Sequence, residues 1–254
     1  MMSLSSDNRT FSPQRSSTSL RVHPISVLGP GLLYTYLVLG LRPILVDAGM
    51  PGKSAQILSA IAKQGVNPKD LALIFLTHGH IDHFGSAQEL RKETGAPIAI
   101  HTRDVEALRR GRSSVSQPVG FFGRVFNRTP LPHATVPGFE PDIIFTEEQS
   151  LDAFGLQGRI IETPGHTPGS ISIFLANGEL LAGDLLAGGL GQGLLPFRQH
   201  HPAHPPFQEN FEQVRQSIEK IVQLAPTKIY VGHGGPLSLQ DVQQFLREER
   251  HFAR

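Results

Sequence analysis

Along this chain the apolar residues switch repeatedly between unbroken or two-residue spacing and a spacing near 3.6, the alternation expected of strands and helices. Residues 22–28 and 32–39 read as two strands about the turn Gly29-Pro30-Gly31, and 42–46 as a short third ending at Asp47. The spacing then predicts a helix over 54–64, with Ile57, Leu58 and Ile61 on one face and a stop at Gly65. A continuous apolar run at 71–76 suits a strand buried on both faces. A helix over 86–94 closing at Gly95 and a strand over 97–101 follow. This β-α-β-α-β order predicts an α/β sheet under helical cover.

Residues 111–141 show no period and read as a long surface insertion. Short strands are predicted near 143–145, 158–162, 171–176 and 179–183, the last two joined by the hairpin signal Asn177-Gly178. Residues 187–206 form a second aperiodic loop. A helix is expected over 207–224, with Phe207, Phe211, Val214, Ile218 and Ile221 on one face. A strand over 228–231 leads to His233, and a final helix starts at Ser238 with Asp241 completing a capping box. Residues 1–20, serine-rich and without an apolar core, read as a disordered tail before one domain over 21–254.

Composition narrows the chemistry. Lys+Arg 23 against Asp+Glu 22 leaves a formal charge of +1, which gives no support for a nucleic-acid surface. No apolar run approaches the roughly 20 residues that span a bilayer, so a cytoplasmic protein without a membrane partner is expected. There is no cysteine, which excludes thiolate nucleophiles and Cys-ligated zinc. Any metal must be held by nitrogen and oxygen.

Such donors are present in Thr77-His78-Gly79-His80-Ile81-Asp82-His83, just past the buried strand. Extended geometry aims His78 and His80 to one side. Asp82 and His83 fall where the chain turns toward the next helix, so this loop could hold two metals. His166, Asp184 and His233 each follow a predicted strand with glycine nearby. His200, His201 and His204 lie in a proline-bound tract and are not expected to form another metal site; His23, His101, His133 and His251 read as incidental. Arg109, Arg110, Arg112, Arg124 and Arg128 in and around the first insertion fit either a solvated loop or a site for an anionic substrate.

The H-x-H-x-D-H segment His78–His83, followed in order by His166, Asp184 and His233, resembles the metallo-β-lactamase-fold hydrolases over about residues 22–235. The resemblance implies an α/β (α+β) four-layer αβ/βα sandwich with two central mixed sheets and metals at one edge between them. It implies that His78, His80 and His166 bind one ion, that Asp82, His83 and His233 bind a second, and that Asp184 bridges them. Asp47 would orient a ligand. The cofactors implied are two divalent ions per chain, most often Zn2+, with Fe or Mn in relatives. Two such ions roughly 3.5–4 Å apart share a water and lower its pKa, giving a hydroxide for attack on an electrophilic carbonyl or phosphorus. Asp82 and Asp184 are the expected catalytic carboxylates, Asp82 also handling a proton.

Within that superfamily the sequence is most similar to the glyoxalase II branch, although Leu185-Leu186-Ala187 stands where a Cys-Gly-Arg type segment for glutathione is usual. Only about 20 residues follow His233, so the branch's extra C-terminal helical domain is not expected. The bridging Asp184 argues against β-lactam hydrolysis, and Ala187 stands near the tyrosine of acyl-homoserine lactonases. The expectation is a hydrolase of small esters or thioesters. Alternatives are a lactonase, a phosphodiesterase, or an iron-dependent sulfur dioxygenase. Phe84, Phe121, Phe122 and Phe126 are the expected substrate contacts, with the insertions near 111–141 and 187–206 as walls.

Overall fold

A computed structural model describes residues 19–114, 116–195 and 197–252. Most of the tail expected over 1–20 lies outside the described residues. The strands are β1 (Arg21–Ser26), β2 (Tyr34–Leu39), β3 (Ile44–Val46), β4 (Leu73–Phe75), β5 (Ile98–His101), β6 (Gln117–Pro118), β7 (Ile143–Phe145), β8 (Gly158–Glu162), β9 (Ile171–Leu175), β10 (Glu179–Leu181), β11 (Ala187–Gly188), β12 (Pro202–Ala203), β13 (Phe207–Gln208) and β14 (Lys228–Tyr230). The helices are α1 (Ser54–Lys63), α2 (Ile81–Phe84), α3 (Ala87–Thr94), α4 (Val105–Arg110), α5 (Gly120–Phe126), α6 (Phe211–Gln223) and α7 (Leu239–Phe252).

Two mixed sheets organise the chain. The larger runs β1-β2-β3-β4-β5-β7, antiparallel through β3 and parallel beyond; the smaller runs β14-β10-β9-β8, with only β14 and β10 parallel. Side chains alternate across each strand, and both faces are apolar because both are covered. In β3 and β4, Ile44, Val46, Leu73 and Phe75 face Ile160, Ile171, Ile173 and Leu181 of the smaller sheet. Leu45 and Ile74 point the other way, toward Ile57 and Ile61 of α1 and Leu90 of α3. On the smaller sheet, Leu180 and Ile229 turn outward onto Val214, Ile218 and Ile221 of α6 and Val242 of α7. The layers are helix, sheet, sheet, helix.

Some elements depart from the reading of the sequence. The sixth helix begins at Phe211, not at residue 207, because the Asn210 side chain caps it by accepting from Gln213 N. Phe207 instead pairs with Pro118 in the ribbon β13-β6, and Phe211 is exposed. The insertion after residue 111 contains the helix α5, and α4 precedes it where no helix was expected. The final helix keeps its start: Ser238 Oγ accepts from Asp241 N and donates to Asp241 Oδ2. No helix among the described residues is long and apolar enough to cross a membrane.

Candidate metal centre

Strands β3, β4, β8, β10 and β14 deliver their C-terminal ends to one rim of the sandwich, where loops carry the functional side chains. Asp47 follows β3. His78 and His80 follow β4, and Asp82 and His83 sit in the one-turn helix α2. His166 lies between β8 and β9, Asp184 follows β10, and His233 follows β14. Donor atoms of His78, His80 and His166 come within 4.8 Å of one another, as do those of Asp82, His83 and His233. Asp184 stands between the two groups: its Oδ2 is 3.7 Å from His166 Nε2 and 3.3 Å from His233 Nε2, and its Oδ1 is 3.4 Å from His83 Nε2. Gly232 is obligatory here, since a Cβ would lie 2.2 Å from Asp184 Oδ1.

The outward nitrogens of the rings fix which nitrogens face inward. His166 Nδ1–H donates to the Phe207 carbonyl at 2.8 Å and His233 Nδ1–H to that of Leu32 at 2.5 Å. His83 Nδ1–H donates to Asp47 Oδ2 at 2.8 Å. Thr77 Oγ1–H is given to the Asp47 carboxylate, which leaves Thr77 Oγ1 to accept from His78 Nδ1–H at 3.0 Å. His80 Nε2 lies 3.3 Å from Ser116 Oγ. With those hydrogens committed, the inward nitrogens converge: His166 Nε2 is 3.1 Å from His78 Nε2 and 2.9 Å from His80 Nδ1. Converging lone pairs with oriented outer hydrogens are the arrangement metal-binding histidines adopt.

Protonation follows the same division. Burial holds His78 well below the usual imidazole range, lowers His80 to about 4 and lowers His166 to about 3, so these rings are neutral at pH 7. Burial also opposes charge on His83 and His233, but the Asp184, Asp47 and Asp82 carboxylates outweigh it at His83 and raise it well above its ordinary value. Asp184 and Asp82 likewise lift His233 to about 10. Conversely, Asp82 and Asp184 are held below the normal carboxylate range, against the effect of burial, by His83 and His233. A proton here occupies the place of a cation. His83 Nε2 and Asp184 Oδ1 are buried without a hydrogen-bond partner, a cost that a divalent ion between them would remove. The donor set therefore fits divalent metal.

Two aspartates hold this rim in shape. Asp47 adopts a left-handed backbone, φ 61°, and its carboxylate gathers Thr77 N, Thr77 Oγ1 and His83 Nδ1. Asp104, which no motif in the sequence signals, is buried at the start of α4. It accepts from Gly79 N at 2.7 Å, Thr167 Oγ1 at 2.6 Å and Gly169 N at 3.0 Å. It thereby ties the loop of His78 and His80 to the loop of His166. A Cβ on Gly169 would lie 2.7 Å from Asp104 Cγ, so glycine permits this approach.

A cavity of about 570 Å³ opens beside the cluster, lined by His80, Asp82, His166, Asp184 and His233 at its base. Leu28, Leu32, Phe126, Leu131 and Leu194 supply much of its apolar lining. The expectation for Phe84 is corrected: with Ile81 one turn earlier it packs into the helix-covered core against Phe139, fully buried, while Asp82 and His83 take the other side of α2. Phe121 and Phe122 stack on each other at the surface and do not line the cavity; Phe126 does. His133 also lines it, contrary to its reading as incidental. His204 bonds Glu249 and Gln208 and rests on Phe211 and Phe245, so it pins the second loop to α7.

Comparison with known proteins bears on this arrangement. A family profile described as the metallo-beta-lactamase superfamily matches residues 28–233. The chain is 29% identical over 81% of its length to the probable metallo-hydrolase YflN of Bacillus subtilis, spanning 80% of that protein. It is 30% identical to the hydroxyacylglutathione hydrolase GloC of Haemophilus influenzae, over 60% of this chain and 65% of that one. The crystal structure of the BLEG-1 B3 metallo-beta-lactamase superposes with a TM-score of 0.67 at 22% identity, covering 89% of this chain and 99% of the other.

Proposed function

The chain belongs to the metallo-β-lactamase superfamily, and from that premise we propose that it is a binuclear metal-dependent hydrolase of small esters or thioesters. The observation that carries this reading is the pair of three-residue donor groups on either side of Asp184, opening onto one largely apolar cavity. His78, His80 and His166 would hold one ion, Asp82, His83 and His233 the other, with Asp184 shared. Divalent ions held there would supply Lewis acidity toward a carbonyl and a water activated at neutral pH.

The protein's own residues supply the rest. Asp47 and the Leu32 and Phe207 carbonyls keep the outer imidazole hydrogens engaged, which fixes the rings. Asp82 is the carboxylate with a side chain a quarter exposed toward the cavity, so it is placed to accept a proton from an attacking water or return one to the leaving group. Phe126, Leu131 and Leu194 exclude water around an acyl chain.

The likeness to a hydroxyacylglutathione hydrolase supports the thioester reading. Glutathione itself is not the proposed carrier: Leu185 and Leu186 pack beneath α6 and α7, and that stretch offers the cavity no polar group. The test is a hydrolysis panel of thioesters, simple esters, lactones and phosphodiesters on zinc-loaded protein, with elemental analysis beside it. Close to two metal equivalents per chain and turnover of esters or thioesters are expected. One equivalent unchanged by added zinc, or cleavage of phosphodiesters alone, would overturn the assignment; a single iron with oxygen consumption would favour a dioxygenase.

A further inference from the structure

Resting on the hydrolase reading above, we propose that Arg112 forms an oxyanion-binding site in the cavity wall. The substrate would then be an ester or thioester joining an apolar acyl portion to one carboxylate or phosphate group. Most arginines around this part of the chain are occupied. Arg109 pairs with Glu140, Arg110 with Glu106, Arg103 with Glu162, and Arg91 with Asp142. Arg112 is the one Lys or Arg in the cavity lining, and among the described residues its guanidinium has no ion pair or hydrogen bond. A planar five-donor fork left open beside a cavity matches a carboxylate or a phosphate.

The segment that carries Arg112 is anchored to the ligand loop. Arg112 N donates to Ala107 O at 3.1 Å and Ser114 N to Gly79 O at 2.8 Å. Ile81 N donates to Ser113 Oγ at 3.0 Å, and Ser116 Oγ lies 3.3 Å from His80 Nε2. The backbone of Arg112 is thus held at a set offset from the metal ligands, and its exposed side chain stands in the wall between this cavity and a neighbouring one lined by Arg103, Glu106 and Arg110. Ser113, Ser114 and Ser116, all in the same lining, add hydroxyl donors to that wall. An acyl chain against Phe126 and Leu194 with an oxyanion at Arg112 would satisfy both characters of the cavity.

The experiment measures binding to zinc-loaded protein by calorimetry, using inert amides so that turnover plays no part. N-octanoylglycine and N-octanoylglycinamide differ by one carboxylate, and N-octanoyl-phosphoethanolamine supplies the phosphate arm. A charge-assisted contact at an exposed head should favour the anionic amides about tenfold over the neutral one. Arg112→Met should reduce that ratio to about one, Arg112→Lys should retain part of it, and Arg124→Met on the outer face of α5 should retain all of it. The larger of the two anionic ratios identifies carboxylate or phosphate as the preferred group. Equal affinities in the wild type overturn the proposal. An anion preference that survives in Arg112→Met also overturns it, since the anion would then be held by the metals. An intact ratio without any hydrolysis would leave this site standing and remove the reaction.

Discussion

Replacing Asp104 with asparagine probes how far the centre depends on a residue that touches no metal. The amide oxygen can take the position of Oδ2 and keep the bonds from Gly79 N and Thr167 Oγ1. The amide nitrogen then faces Gly169 N, donor against donor, where the carboxylate accepted at 3.0 Å. Losing one buried bond to a charged acceptor costs about 1.5–3 kcal/mol. Part of that is offset, because burial already pushes the Asp104 carboxyl up and a neutral amide escapes that penalty. A net loss of about 1–2 kcal/mol follows, which for a domain of this size lowers Tm by about 2–8 °C. The loss falls between the loop of His78 and His80 and the loop of His166, so zinc affinity of the first donor group should drop roughly tenfold. Affinity of the Asp82, His83 and His233 group should hold. Zinc titration against a competing chelator, alongside thermal unfolding of the loaded protein, reads both quantities. Equal weakening of the two groups, or no change in either, would refute the clamp.

Asp184→Ala should reduce bound zinc from two equivalents toward one and lower turnover far more than His200→Ala or His201→Ala, because two adjacent dications lose their shared charge; full metal content in this variant by elemental analysis would contradict the bridging role. Zinc uptake should release protons at pH 7, since His83 and His233 hold theirs above neutrality, His233 to about 10, and affinity should fall as pH is lowered; calorimetry giving the same heat in buffers of different ionisation enthalpy would count against it. Phe84→Ala should destabilise by about 3–5 kcal/mol as a core truncation, with the substrate ranking unaltered; a changed ranking with an unchanged Tm would restore Phe84 to the cavity.

Helical cover over a sheet was legible because β4 lies in the run 71–76, apolar on both faces as only a strand covered on both sides can be, whereas the division into two sheets was implied by the family resemblance alone. The donor cluster at the rim was legible because four of its seven residues sit within six positions and the rest follow strand ends. What escaped was set by tertiary neighbours. Phe207 and Phe211 are spaced like a helical pair, yet Asn210 caps between them and Phe207 is drawn into a ribbon with residue 118. In α5, Gly-Phe-Phe-Gly-Arg-Val-Phe has two glycines and no cap, so propensity gives no helix; Gly123 N bonding to Val119 O and Gln192 Oε1 helps hold it. Phe84 lies next to the ligands in sequence but a helical turn separates its direction from theirs. Asp104 binds two backbone amides and one hydroxyl, and the glycines that admit it, Gly79 and Gly169, do not reveal in the sequence which residue approaches them.

The order of these donor residues along the chain has a consequence for biosynthesis. His78, His80 and His83 leave the ribosome well before His166 and Asp184, and His233 comes last, after β14 completes the smaller sheet. At roughly 5–20 residues per second, about 150 residues separate the first histidine from the last, a delay on the order of ten seconds. During that interval the nascent chain displays a histidine-rich loop whose partners do not yet exist. The donor cluster can assemble only when the second sheet docks on the first, after nearly the whole chain has been made.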